Sequence, residues 1–411
     1  MTLGSALQIF RKANWPSKAN APSLWTTTRV GAAFAACLLM AGPSVEAAPK
    51  APKTMSFVVT TWFTAMYESK FFDECPQGFA QSYDEIWWRG LSKQDRAKAT
   101  NNGLVSRLDR FFVAIRRGPN KEDVCINPTA VTDPPMEIVE GKLSYGMNLD
   151  GTDDGRATAK SCKHTKFETP DGVKGVDNQM YRLLGCNYGF HRGFGQYEVN
   201  ANENRKSNGN GMTLIEVSGI DDAMNDNDVT VTLYRSIDQY TLDGTGQFVP
   251  FASYRIDSFN GKARYDSKLK GKIVNGELIT EPGDAHVPFY GNYTYLNLEA
   301  RDLRLKLKMS PDGASAKGIA AGYFSVDEFV HYVTGIGPIH SSGAANCPAM
   351  YVAAHQLADG YPDPKTGECT MLSAAYDIEA VGAYVIHPDQ AQKTATGGEG
   401  PLAKLTSLFK G

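Results

Sequence analysis

The sequence predicts a mainly β (α+β) protein, with an antiparallel β-sandwich or jelly-roll-like core and an N-terminal helical segment packed on it. Three observations lead there. Apolar residues recur at helical spacing only between about residues 82 and 118; β-branched and alternating stretches dominate after residue 140; and turn signals such as Asn275-Gly276 separate those stretches.

In chain order, residues 1–47 read as a secretory signal peptide. Arg11, Lys12, Lys18 and Arg29 precede the apolar run VGAAFAACLLMAG, which is too short for the roughly 20 residues a membrane span needs. Val45-Glu46-Ala47 supplies the small-x-small cleavage site. Phe34-Ala35-Ala36-Cys37 faintly resembles a bacterial lipoprotein box, so lipid anchoring through Cys37 is the minority expectation. Residues 48–140 form an N-terminal strand plus helical segment, 141–388 a β-sandwich-like domain with two short helices, and 389–411 a mobile tail rich in Gly, Thr and Pro.

SFVVTTWFTAMY (56–67) is β-branched and aromatic, hence a strand. Ser82 with Glu85 makes a capping box, Ser92 opens a second short helix, and Leu104, Leu108, Phe111, Phe112 and Ile115 keep helical spacing until Gly118. MTLIEVSG (212–219) and VTVTLYRS (229–236) are strands flanking an Asp/Asn loop, and Asn275-Gly276 suits a type I′ hairpin. In DLRLKLKM (302–309), Leu303, Leu305, Leu307 and Met309 share one face and Arg304, Lys306 and Lys308 the other, the pattern of a half-exposed strand. Ser325 and Glu328 cap a helix through Val333, Asn346–Ala358 is another helix, and 372–386 is the last strand.

Without residues 1–47 the chain has 38 basic against 44 acidic side chains, a formal charge near −6, which argues against a nucleic-acid partner. Six cysteines then remain, at 75, 125, 162, 186, 347 and 369, and an even number suits an oxidising compartment, secreted, periplasmic or at the cell surface. Sequential pairing (75 with 125, 162 with 186, 347 with 369) is the economical expectation. No C-x-x-C, H-E-x-x-H, phosphate loop, dinucleotide fingerprint or nucleophile elbow occurs, and the seven histidines show no ligand spacing.

The strongest local signal is NLDGTDDG, where Asp150, Thr152 and Asp154 stand two apart before Gly155, a pattern of oxygens that can wrap a hard cation. It resembles the front half of the Asp-x-Asp-x-Asp-Gly loops of calcium-binding modules. It departs from an EF-hand at the third position, Thr152, and at the twelfth, Ser161, where a bidentate Glu is required. Asp171, Asp177 and Asn178 follow nearby, so a structural calcium ion held between the two clusters is expected. IDDAMNDNDV, with Asp221, Asp222, Asn225, Asp226, Asn227 and Asp228, is a weaker candidate, since Asx-rich hairpins commonly hold no metal.

From Cys186 onward, Tyr188, Phe190, His191, Arg192 and Tyr197 make an aromatic loop suited to stacking a carbohydrate-like ligand, while 198–211 has the composition of a mobile connection. The expected function is therefore an extracytoplasmic or surface binding module with an extracellular glycan or protein partner. The first alternative is a secreted enzyme on a polysaccharide or another extracellular polymer, with His191 as base, Tyr188 or Tyr197 as acid and Arg192 as charge stabiliser. The second is a structural subunit of an envelope complex, making contact through Trp87, Trp88 and the tail.

Overall fold

Phe57 is paired with Ile215 across one edge of its strand and with Gly382 across the other, and this double pairing decides the architecture. The strands concerned are β1 (Lys53–Thr64), β2 (Thr213–Ile220), β3 (Asn225–Arg235), β4 (Ser267–Val274), β5 (Glu277–Thr280), β6 (Thr294–Met309), β7 (Ser315–Ser325) and β8 (Cys369–Ile386). Each is antiparallel to the next, and β8 returns to β1. The molecule is thus a closed eight-stranded antiparallel β-barrel, in a computed structural model that describes residues 53–192, 195, 197–208, 212–291, 294–335 and 346–389.

The expected sandwich or jelly roll is not formed. A sandwich leaves free edges on each sheet, whereas the pairing of β1 with β8 removes them. The inward-outward alternation is the same in both architectures; what separates them is the register between residues 57–64 and 376–382, which no local pattern carries.

Individual elements follow their sequence signals. Leu303, Leu305, Leu307 and Met309 are all buried inside the barrel with Phe57, Val59, Ile215, Val231 and Leu278, while Lys306 and Lys308 are exposed. Asn275 and Gly276 both take positive φ, 52° and 74°, in the tight turn joining β4 to β5. Helices α4 (Gln179–Leu184), α5 (Tyr197–Asn208), α6 (Val326–Gly335) and α7 (Cys347–Leu357) follow from the chain order, and residues of all but α5 belong to the same buried apolar core as the barrel interior. Of residues 198–211, expected as a mobile connection, 198–208 belong to helix α5, and 209–211 lie outside the described residues. No glycine or proline interrupts that helix, and its Glu198 and Asn202 bond the backbone of β1.

The N-terminal helices, Tyr83–Gly90, Lys93–Asn101 and Arg107–Ala114, do not lie on a sheet face as expected. Tyr83 and Phe111 pack on each other, ring centroids 5.0 Å apart, in a small separate core that includes Cys125 and Cys347, with Trp87 against it. The middle helix has no buried residue. The expected Ser82–Glu85 capping box is not formed, because Ser82 Oγ donates to Asp84 Oδ1 instead; Ser92 does open the second helix, accepting from the amide of Asp95.

The disulfides are Cys75–Cys186, Cys125–Cys347 and Cys162–Cys369, so none of the sequential pairs forms. They close separations of 111, 222 and 207 residues, tying loops to distant elements where short-range pairing was the expectation. The expected signal peptide and all of the expected tail except Asp389 lie outside the described residues. Among the described residues no helix is long and apolar enough to cross a membrane.

Candidate functional site

Among the described residues, two places are the candidates for a site. The first is a buried charged centre on the outside of β7 and β8. Residues 147–152 are pinned there because Arg304, on the outer face of β6, donates to the carbonyls of Asn148 (2.6 Å) and Leu149 (2.7 Å). Gly155 is required where the chain returns: its φ is +69°, and a Cβ there would stand 1.9 Å from the carbonyl oxygen of His164. The return places Asp150, His164 and Asp177 with donor atoms all within 4.8 Å of one another, close enough to hold a metal ion.

The protein supplies a cation of its own at that point. Lys166 Nζ lies 2.7 Å from Asp150 Oδ1 and 2.5 Å from Asp177 Oδ1, with all three side chains buried. Asp150 also accepts from the Thr152 amide and hydroxyl and from Ser161 Oγ. Burial opposes its charged form, but these bonds, with Lys166 foremost, hold its carboxyl below the ordinary carboxylate range. Asp177 Oδ2 takes the Leu149 amide, and His164 Nε2 lies 2.7 Å from Asp177 Oδ1 while His164 Nδ1 lies 2.7 Å from the Cys162 carbonyl. Two acceptors on two ring nitrogens call for an imidazolium. Accordingly, although burial disfavours the charged ring, Asp177 and Asp359 raise its pKa above the ordinary value. Asp359 completes the centre. Its Oδ1 accepts the Ser373 amide, its Oδ2 makes no hydrogen bond and stands 3.6 Å from His164 Nε2, and burial pushes its pKa up to about 7.

Of the six residues expected to hold calcium, Asp150 and Asp177 converge and Thr152 braces Asp150. Asp154 is exposed and pairs with Arg156, Asp171 is exposed in a turn, and Asn178 caps α4 while donating to the carbonyls of Ala65 and Tyr145. In the second acidic loop, Asp226 accepts the amides of Asp221, Asp222 and Asp228, so its charge is met by backbone N–H groups.

The second place is a pocket at the helix-covered end of the barrel, with a cavity volume of about 70 Å³. Helix α5 is fastened to β1 by side chains that replace strand pairing. Asn202 exchanges two hydrogen bonds with the backbone of Trp62, and Glu198 Oε1 accepts from both the amide and the hydroxyl of Thr64 at 2.7 Å. Rings from several elements form the wall: Trp62 with Tyr376 (centroids 5.1 Å apart), Phe324 with Tyr376 (5.4 Å) and Phe190 with Tyr197 (4.5 Å), together with Phe329. Glu198 is the one acidic lining residue; its Oε2 is shielded from solvent and bonds nothing, and burial pushes its pKa up to about 7 despite the Thr64 bonds and the charge of Arg192.

The five residues of the expected aromatic loop are thus divided. Phe190 and Tyr197 line the interior pocket. Tyr188 is exposed, edge-on to Phe79. His191 is buried between Glu68 (3.3 Å) and Glu74 (3.2 Å), and Arg192 spans Thr64 O and Asp377 with its guanidinium over Phe63. Arg192 thus ties the turn to the end of β1, and His191 ties it to the segment that follows β1. Sequence reasoning passed over His164, Lys166, Asp359 and Glu198. The i, i+2 spacing of His164 and Lys166 and the i, i+4 spacing of Tyr197/Ala201 and Glu198/Asn202 were signals available for three of them. No family model, no curated protein and no solved structure matches this chain.

Proposed function

We propose that the protein is an exported, disulfide-stabilised binding protein whose barrel-end pocket takes a small ligand with an apolar body and a single polar end. The observation that carries this is the solvent-shielded, unbonded Oε2 of Glu198 in a wall of aromatic rings. A buried carboxyl oxygen without a partner costs about 1–3 kcal/mol, which a ligand's donor recovers. Closed eight-stranded barrels leave interior room for one small ligand at most, and ligand sites are typically apolar cavities with a few placed polar groups. A ligand inside the barrel is favoured over a glycan on the 188–197 loop because only Tyr188 of the loop's named rings is exposed. The three disulfides suit an oxidising compartment, as the expected signal peptide requires.

The test is methyl and indole NMR of the mature chain during titration with small molecules of this kind, tert-butanol among them. Shifts concentrated on Trp62, Met180 and Leu184 are the supporting outcome. A panel that moves none of these resonances overturns the reading.

A second reading rests on the Asp150–His164–Asp177 donor atoms. One imidazole nitrogen with two carboxylates suits zinc or a similar borderline ion better than calcium, which takes six to eight oxygens. Such an ion has to displace the Lys166 ammonium and the His164 Nε2 proton, so it competes with a built-in charge network. A melt with added zinc and with chelator tests it: a zinc-dependent rise supports the ion, and identical curves remove it.

A further inference from the structure

The pocket's donor count, charge and size narrow its ligand further, and the inference rests on the barrel-pocket reading above. The cavity of about 70 Å³ is under half the roughly 150 Å³ of a dry cavity that admits benzene, so the ligand's body is a handful of heavy atoms. Its wall presents rings from β1, β7, β8, α5 and α6, through Trp62, Phe324, Tyr376, Tyr197 and Phe329. Aromatic faces attract cations, most strongly when water is excluded, and they do not attract anions. The wall's one acidic group is a carboxyl whose second oxygen is open. A primary ammonium carries three N–H donors and needs two acceptors besides Oε2, for which the lining side chains offer only neutral hydroxyl oxygens, whereas a tertiary ammonium carries one donor and is met by the carboxyl alone.

We infer that the pocket binds a small tertiary methylammonium ion, its single N–H donated to Glu198 Oε2 and its methyl groups against the surrounding rings. Three charged groups bear on Glu198, two from outside its helix and one within it, and they do not cancel this arrangement. Arg192 is engaged by Asp377 of β8 at 2.7 Å, Asp377 itself adds negative charge, and Arg205 lies farther along α5 beside Tyr240 and Tyr332. The other polar groups of the lining are the hydroxyls of Thr64, Tyr197, Tyr332 and Tyr376, and Thr64 already donates to Oε1. A cation requires the ionised carboxylate, so binding strengthens as pH rises through the value near 7 that burial gives the empty pocket.

The experiment is calorimetric titration of the mature chain with trimethylammonium, methylammonium and tert-butanol at pH 6 and pH 8. Tert-butanol carries the same three methyl groups and one donor on one additional heavy atom, but no charge. The expected result is that trimethylammonium binds best at pH 8, about tenfold weaker at pH 6, as a single group titrating near 7 dictates, and at least tenfold weaker in Glu198→Gln. Tert-butanol binding as tightly as trimethylammonium, or trimethylammonium binding that ignores pH, overturns the cation while leaving the pocket. Silence from all three probes overturns both. The pH comparison uses the unaltered chain, so it decides the matter even if the Gln variant does not fold.

Discussion

Lys166 Nζ stands 2.7 Å from Asp150 Oδ1, at the point where a bound ion would meet the acidic turn of residues 150–154. The density of carboxylates in that region does call for positive charge, and the chain answers with an ammonium and an imidazolium. Removing one partner of a buried ion pair leaves the other uncompensated. Lys166→Met is therefore expected to cost about 3–5 kcal/mol in urea unfolding. A loss below about 1 kcal/mol would show that the network does not hold the 147–177 region. With the ammonium gone, the same variant should also gain a zinc-dependent rise in melting temperature larger than the parent's.

The centre sets a pH dependence whose sign is fixed. Asp359 has an ordinary pKa of 3.8 and is raised to about 7 in the fold, so ionising it costs the native state and stability falls as pH climbs from about 4 to 7. His164 is raised above 6.5, so its contribution is complete below that value and is lost as pH rises through the folded one. Asp150, held below 3.8, contributes above that value and loses its contribution as pH falls through the folded one. Melting temperatures of Asp359→Asn should exceed the parent's at pH 8 and converge on it near pH 4. A gap that is constant with pH contradicts the assignment.

The three disulfides span long loops, and the chain-entropy account gives about 5 kcal/mol for each. Cys125→Ala/Cys347→Ala should release the 83–114 helices first, because that bridge joins their small core to α7. Hydrogen exchange should then rise in 83–114 while β6 and β7 stay protected. Uniform loss of protection would show that the helices and the barrel unfold as one unit.

Strand contact makes one glycine decisive. A Cβ on Gly318 would stand 2.0 Å from the Lys306 carbonyl oxygen in the β6–β7 ladder, a contact of backbone with backbone that no rotamer relieves. Gly318→Val should fail to fold or lose several kcal/mol. Gly244, with open space around its Cβ position, is the control and should tolerate alanine.

How much of this was legible in the sequence depends on the range of the interaction. The alternation of Leu303 to Met309, the Asn275-Gly276 turn and the Ser92 cap are local, and the structure has them. Barrel closure joins Phe57 to Gly382, and each disulfide spans more than a hundred residues, distances at which period and spacing carry no signal. The convergence of Asp150 and Asp177 was readable as a surplus of negative charge, but the identity of its counter-ion was not, because a lysine 16 residues from Asp150 looks like any surface lysine until the chain folds back. Glu198 was hidden by composition. A polar, Asn-rich stretch resembles a tether, and only its lack of Gly and Pro before residue 208 marks it as a helix.

What the proposal stands on is the open second oxygen of Glu198, Oε2, facing aromatic rings, while Oε1 is held by Thr64. The deciding measurement is titration of the Glu198 side-chain carboxyl carbon by ¹³C NMR, in the mature chain with and without trimethylammonium. The midpoint should lie near 7 in the empty protein and move down by at least one pH unit when the cation is present. A midpoint at the ordinary glutamate value near 4.5, unmoved by the cation, would contradict it.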